Sequence, residues 1–287
     1  WKDFSSLKID ASSFALNMMR SNAWWNTYSL SKYGKPVDRT EWDMTPQTYN
    51  AYYNPSNNEI VLPAGIFTVP GFRDEELDDA LVYGYAAAST IGHEITHGFD
   101  DEGRQFDAKG NLKNWWSTTD EEQFTQRAQK LVNQFSNMIA VDTMHINGKQ
   151  TLGENLADLG GLLIGLDAFK LTDAYKAGKS ISGYTPLQRF FLGYALGWMY
   201  SYREESIASQ IVTDVHAPAK QRVNGPMPNI PEFYEAFKVT PKNKLYLLFV
   251  LAYLKVESIK GFSVVNCLKL FLINPPFTPA YGIIIFS

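Results

Sequence analysis

Thr90-Ile91-Gly92-His93-Glu94-Ile95-Thr96-His97-Gly98-Phe99 is the stretch whose reading decides the fold of this chain. It contains the pattern His-Glu-x-x-His. On a helix, positions i and i+4 share one face about one turn apart, so His93 and His97 can aim their imidazole nitrogens at a single ion. Two nitrogens at that spacing suit zinc, and Glu94 stands beside them, placed to take a proton from water. The competing reading is an ordinary helix with two satisfied histidines and an ion-paired glutamate. The flanks oppose it. Ser89, Thr90, Ile91 and Gly92 before the motif and Ile95, Gly98 and Phe99 after it are small or apolar. Such a face is expected to be buried, and a buried glutamate needs a partner that a metal site supplies.

A hydrolytic zinc takes three protein ligands and keeps one position open. The helix offers no third residue on that face, so the third ligand must come from elsewhere. The best candidate is Glu154, in Gly153-Glu154-Asn155-Leu156-Ala157-Asp158-Leu159-Gly160-Gly161. Glu154 and Asp158 are again i and i+4. One carboxylate can ligate while the other accepts the free N–H of a ligating histidine. The apolar, glycine-rich surroundings argue against two solvated carboxylates.

Working outward, residues 1–33 read as mostly helical, and Gly34-Lys35-Pro36 ends that run. Residues 48–53 and 59–62 are β-prone and flank the turn cluster Asn54-Pro55-Ser56-Asn57-Asn58. Asp78 to His97 can form one long helix, and 101–117 read as loop. A helix is expected from 117 to about 138, with a capping box from Thr118 to Glu121. Further helices are expected over 153–170 and 185–209. The fold class is therefore mainly helical α+β.

The chain has 287 residues, 45% of them hydrophobic, enough for one large domain or two small ones. The net charge is -4 and no basic stripe is present, which speaks against a nucleic-acid partner. A single cysteine, Cys267, excludes an internal disulfide framework. Leu245 to Leu254 is an apolar run too short to span a bilayer.

The two motifs together, His93-Glu94-Ile95-Thr96-His97-Gly98-Phe99-Asp100-Asp101 and Gly153-Glu154-Asn155-Leu156-Ala157-Asp158, resemble those of the neprilysin family of zinc metallopeptidases. Asn50-Ala51-Tyr52-Tyr53 resembles the family's edge strand. Val215-His216-Ala217-Pro218 with Arg222-Val223-Asn224-Gly225 resembles its histidine–arginine segment, and the stretch Asn229 to Phe237 resembles the family's next segment along the chain. The resemblance runs from about residue 1 to 240, in family order. It implies a thermolysin-like zincin catalytic domain that hydrolyses oligopeptides with one Zn2+ per chain. His93, His97 and Glu154 would be the metal ligands and Glu94 the general base. Asp158 would orient His93, and Asp100 would do the same near His97. His216 would donate to the developing oxyanion. Arg222 would bind a substrate carbonyl and help organise the site, and Asn50 and Ala51 would hydrogen-bond the peptide backbone. His145 matches no family role and reads as a surface histidine.

Two departures accompany the resemblance. The family's N-terminal capping region is missing, which leaves an inactive zinc- and peptide-binding fragment as the alternative reading. Residues 241–287 form an apolar tail more like read-through sequence than a family element, beside a catalytic domain over 1–240. A membrane attachment would come only through an upstream segment. A monomer is expected, and a cell-envelope or secreted setting is favoured over a cytoplasmic one.

Overall fold

The computed structural model describes residues 2–247, and the chain divides into two compact units, Trp1–Thr45 and Pro46–Ser287. The first unit is built on α1 (Phe14–Ser31), capped by Ser13, whose hydroxyl accepts from Leu16 N–H. Trp24 stacks on Tyr28 at 5.2 Å between centroids, and Phe4 packs on Trp24 at 4.8 Å. Glu41 ties this unit together: Lys32 and Lys2 approach it at 2.5 and 3.1 Å, and Tyr28 donates to it at 2.8 Å. Burial alone would raise the Glu41 carboxyl, but bonds from Lys32, Tyr28 and Lys2 outweigh that and hold it at about 2, against an ordinary 4.5. A carboxyl depressed on folding stabilises fully above its unfolded value and loses the contribution as pH falls toward the folded one. The stability difference between the native chain and Glu41→Gln, measured by urea denaturation, is therefore expected to shrink between pH 4.5 and pH 2. A difference constant across that window would refute the assignment.

The second unit opens with a hairpin of β1 (Tyr52–Asn54) and β2 (Glu59–Val61), antiparallel with Tyr52 opposite Val61. Pairing starts later than the β-prone run does: Asn50 and Ala51 precede the ladder. Gly65 donates to Pro46 O at 2.8 Å and lies against the Gln47–Thr48 backbone, which holds that part of the run.

The expected long helix over 78–97 is continuous but not uniform. It starts as α2 (Asp79–Val82), capped by Asp78, widens to π-helical turns over Tyr83–Gly92, and returns to α geometry in α3 (His93–His97). Small residues at 84, 88 and 92 recur every four positions, a spacing that fits either pitch. They let the backbone press on its neighbours. Gly92 lies against Gly161, Ala88 against Gly165, and Gly84 against the Phe190 carbonyl.

After α4 (Thr118–Ser136) come a short bulged hairpin, β3 (Ile139–Val141) with β4 (Met144–His145), and then α5 (Leu152–Lys170). The cap of α4 is Ser117, one residue before the expected box: its hydroxyl accepts from Asp120 N–H. α5 is the central element, with Leu162, Leu166 and Phe169 wholly buried. α6 (Asp173–Lys176) leads to α7 (Pro186–Leu196). The expected helix over 185–209 breaks here, and α8 (Glu204–Thr213) begins only after Arg203. Gly197 weakens the helix at that point, and Trp198 is drawn onto Arg222. α9 (Ala219–Asn224) and α10 (Pro231–Phe237) complete the unit. Tyr246 packs edge-on against Tyr234 at 5.8 Å. The expectation of a foreign tail lies, from residue 248 on, outside the described residues.

At Gly92 and Gly161 the seam between α5 and the helix carrying His93 is backbone against backbone. A Cβ at residue 161 would run into the Ala88 carbonyl and come within 2.7 Å of His93 N. Gly161→Ala is expected to cost about 3 kcal/mol, the upper part of the overpacking range, and to weaken zinc retention with it. Thermal denaturation and zinc titration check this. A variant as stable as the native chain would sink it.

Candidate metal centre

α3 and α5 cross so that His93, His97 and Glu154 converge. Their donor atoms all lie within 4.8 Å of one another, the one such group among the described residues. His93 Nε2 and His97 Nε2 are 3.0 Å apart, and Glu154 oxygens lie 3.3 Å from the first and 3.6 Å from the second. Zinc bonds of about 2.0–2.1 Å in tetrahedral array place neighbouring donors about 3.3 Å apart. The observed spacings bracket that value. The donor chemistry agrees. His93 Nδ1 faces Asp158 Oδ1 at 2.9 Å and His97 Nδ1 faces Asp100 Oδ2 at 2.7 Å. An ionised carboxylate only accepts, so each Nδ1 donates. In neutral rings both Nε2 atoms would then present lone pairs to each other and to Glu154, so a cation or a proton must sit among them.

Electrostatics show the same demand. Burial opposes charge on His93, yet Asp158 and Glu154 outweigh it and pull the ring up to about 9. Burial would raise Glu154, but His216 and His93 hold its carboxyl far below the ordinary range. Glu94, 7% exposed, is pushed up chiefly by burial.

Asp158 is wholly buried on α5. Burial would raise it, but Arg222 and His93 hold it low. Arg222 forks onto it, Nε to Oδ2 at 2.7 Å and an Nη to Oδ1 at 2.8 Å, and the same Nη lies 3.3 Å from Glu154. Arg222 is itself 7% exposed. The expectation from sequence puts it on a substrate carbonyl and in the organisation of the site, and its contacts are those of an organiser. Asp100, besides meeting His97, accepts from the N–H groups of Glu102 and Gly103 at 2.9 and 2.7 Å.

His216 lies at the rim, its Nε2 3.2 Å from Glu154 Oε1. Glu154 is the main cause of its raised pKa. Asp214, which sequence reasoning misses, accepts from His216 Nδ1 at 2.7 Å and from its backbone N–H at 2.9 Å. The available signal is an aspartate two residues before a histidine, the spacing of a local Asx turn. Sequence reasoning misses Trp198 as well. Its ring covers the Arg222 guanidinium at 4.0 Å. Asn50 and Ala51 lie just ahead of β1, where the Asn50 side chain accepts from Ala51 N–H at 2.9 Å. His145 is exposed, with Nδ1 on Ser136 O at 3.0 Å.

No helix among the described residues is long and apolar enough to cross a membrane. An endothelin-converting enzyme homolog of Locusta migratoria is 40% identical over 247 residues, which cover 85% of this chain and 34% of that protein. Membrane metallo-endopeptidase-like 1 of Mus musculus is 42% identical over 215 residues, covering 73% of this chain and 28% of that one. The chain thus spans about a third of the length of these relatives. Among solved structures, the zinc metalloprotease Zmp1 of Mycobacterium tuberculosis, in complex with an inhibitor, superposes with a TM-score of 0.78 at 41% identity, covering 86% of this chain and 38% of Zmp1. PepO of Lactobacillus rhamnosis does so at 0.73 and 34% identity, covering 84% and 36%. The model of peptidase family M13 matches residues 50–248, a span that holds both histidines of α3, the Glu154–Asp158 turn of α5 and the His216–Arg222 segment. With that match over more than two thirds of its length, the chain belongs to peptidase family M13, the neprilysin family.

Proposed function

We propose that this chain is the catalytic part of a zinc-dependent endopeptidase that hydrolyses oligopeptides by direct attack of water, without a covalent intermediate. The observation that carries the reading is the convergence of His93, His97 and Glu154 at tetrahedral-edge spacing beside a buried Glu94. Zinc held by those three donors supplies Lewis acidity at the scissile carbonyl.

The protein's own residues do the rest. Glu94 takes the proton of the attacking water and passes it to the departing amine. Burial supports this by weakening its hold on the charged form, so that the carboxylate is a better base than a solvated one. Asp158 and Asp100 fix the rings of His93 and His97. His216, oriented by Asp214, donates from Nε2 to the oxyanion as charge develops. Arg222 holds Asp158 and Glu154 in place through Nε and one Nη, and its other Nη would be the group to meet a substrate carbonyl. Asn50 and Ala51 lie just ahead of the β1–β2 ladder, where an extended peptide would take over Ala51 N–H from the Asn50 side chain, which suits recognition of main chain over side chain. We read the working form as a monomer in a cell-envelope or secreted setting, in line with the family resemblance.

Cleavage of a quenched fluorescent oligopeptide tests the proposal. Activity is expected to vanish in chelator and to return with about one zinc per chain. Cleavage that persists in chelator refutes it. A chain that binds zinc and peptide yet never cleaves is the binding fragment instead.

A further inference from the structure

Arg222 is held from both ends by one short piece of chain. Tyr194, in the last turn of α7, donates its hydroxyl to the Arg222 carbonyl at 3.1 Å. Trp198, four residues on and just past the end of α7, sets its ring face against the guanidinium, with Arg222 Cζ over the ring 4.0 Å from its centroid. Nε and one Nη of that guanidinium are tied to Asp158 and Glu154. What those bonds leave free is rotation out of plane and access of water to the face. An aromatic ring on the face limits both, and it attracts the cation most strongly where water is excluded. From Arg222 the chain of contacts passes through Asp158 to His93 and through Glu154 to the metal position itself.

We propose that Trp198 is a positioning residue for the metal centre, acting through Arg222 by the potential of its ring face. Trp198 also packs on Tyr194, at 6.2 Å between ring centroids, so the route through Arg222 is the one that a double-variant comparison isolates. This inference rests on reading His93, His97 and Glu154 as the zinc-binding set.

Zinc release from the full chain to a chromophoric chelator tests it without reference to peptidase activity. Trp198→Leu keeps an apolar side chain but has no ring, and Trp198→Phe keeps a ring face. Release is expected to be about 10-fold faster in the leucine variant and within about 3-fold of native in the phenylalanine variant. Equal release from the two would overturn the proposal in favour of simple packing. In an Arg222→Lys background the leucine substitution is expected to add nothing further, and full additivity would also overturn it. Should the leucine variant not fold, fluorinated tryptophans at position 198 keep the shape while weakening the face. Release that quickens with each added fluorine supports the proposal, and release indifferent to fluorination overturns it. A native chain that binds no zinc would bring down the reading of the centre, whereas zinc held equally by every variant would bring down only the role of Trp198.

Discussion

Glu94→Gln is expected to lower turnover of an oligopeptide by at least about 10³-fold, well inside the range spanned by lost general-base catalysis. The substitution is nearly isosteric at a position 7% exposed, so cleft and metal donors keep their geometry. It also removes a charge that burial already disfavours. Zinc content is therefore expected to stay at the native level and the melting temperature to hold or rise. Metal analysis, calorimetry and steady-state kinetics on one preparation separate the outcomes. Turnover within about 10-fold of native would remove Glu94 from the reaction. A variant that loses zinc would show that its carboxylate holds the metal site together.

Arg222→Ala is expected to have the largest effect on stability, about 3–5 kcal/mol, because it strips a buried carboxylate of its charge partner. Asp158 has no exposure to water, and Arg222 supplies two of its hydrogen bonds. Without the fork, the Asp158 carboxyl rises, and its grip on His93 Nδ1 weakens as it protonates. Zinc affinity is expected to fall by about 10–100-fold as a consequence. Arg222→Lys restores the charge but not the paired geometry, and is expected to fall between native and alanine. Urea denaturation with parallel zinc titration measures both effects. A loss under about 1 kcal/mol would mean that solvent or another cation covers Asp158.

Much of the centre is legible in the sequence because its chemistry repeats at helical spacing. His93 with His97, and Glu154 with Asp158, are each one turn apart, and a turn is visible in a string of letters. Glycine and alanine between them also tell of helices in close contact, a packing seen at Gly92 on Gly161. What stays hidden depends on chain that returns from afar. Gly197 is a local sign that the helix can stop at Leu196, but nothing local says that the indole just past it reaches Arg222. Asp214 lies in view, but a lone aspartate near a histidine is common and gains meaning only when the histidine meets Glu154. The π-helical pitch of Tyr83–Gly92 leaves no mark because four-residue spacing serves either helix. β1 starts only at Tyr52, while the earlier part of the β-prone run lies against Gly65, a tertiary contact no propensity records.

The glycine seam between α5 and the histidine helix has a mechanical consequence. Backbone set on backbone offers no rotamers to re-sort and little free volume to squeeze. The block that carries His93, His97 and Glu154 is thus packed to resist small shifts of one helix against the other. If the proposed peptidase activity holds, the breathing that admits a peptide is expected in the connections around that block: the lead-in to the β1–β2 hairpin, and the stretch from Gly197 to His216. Such a division of labour would keep the three donors at a constant spacing while other parts of the unit bear the cost of motion.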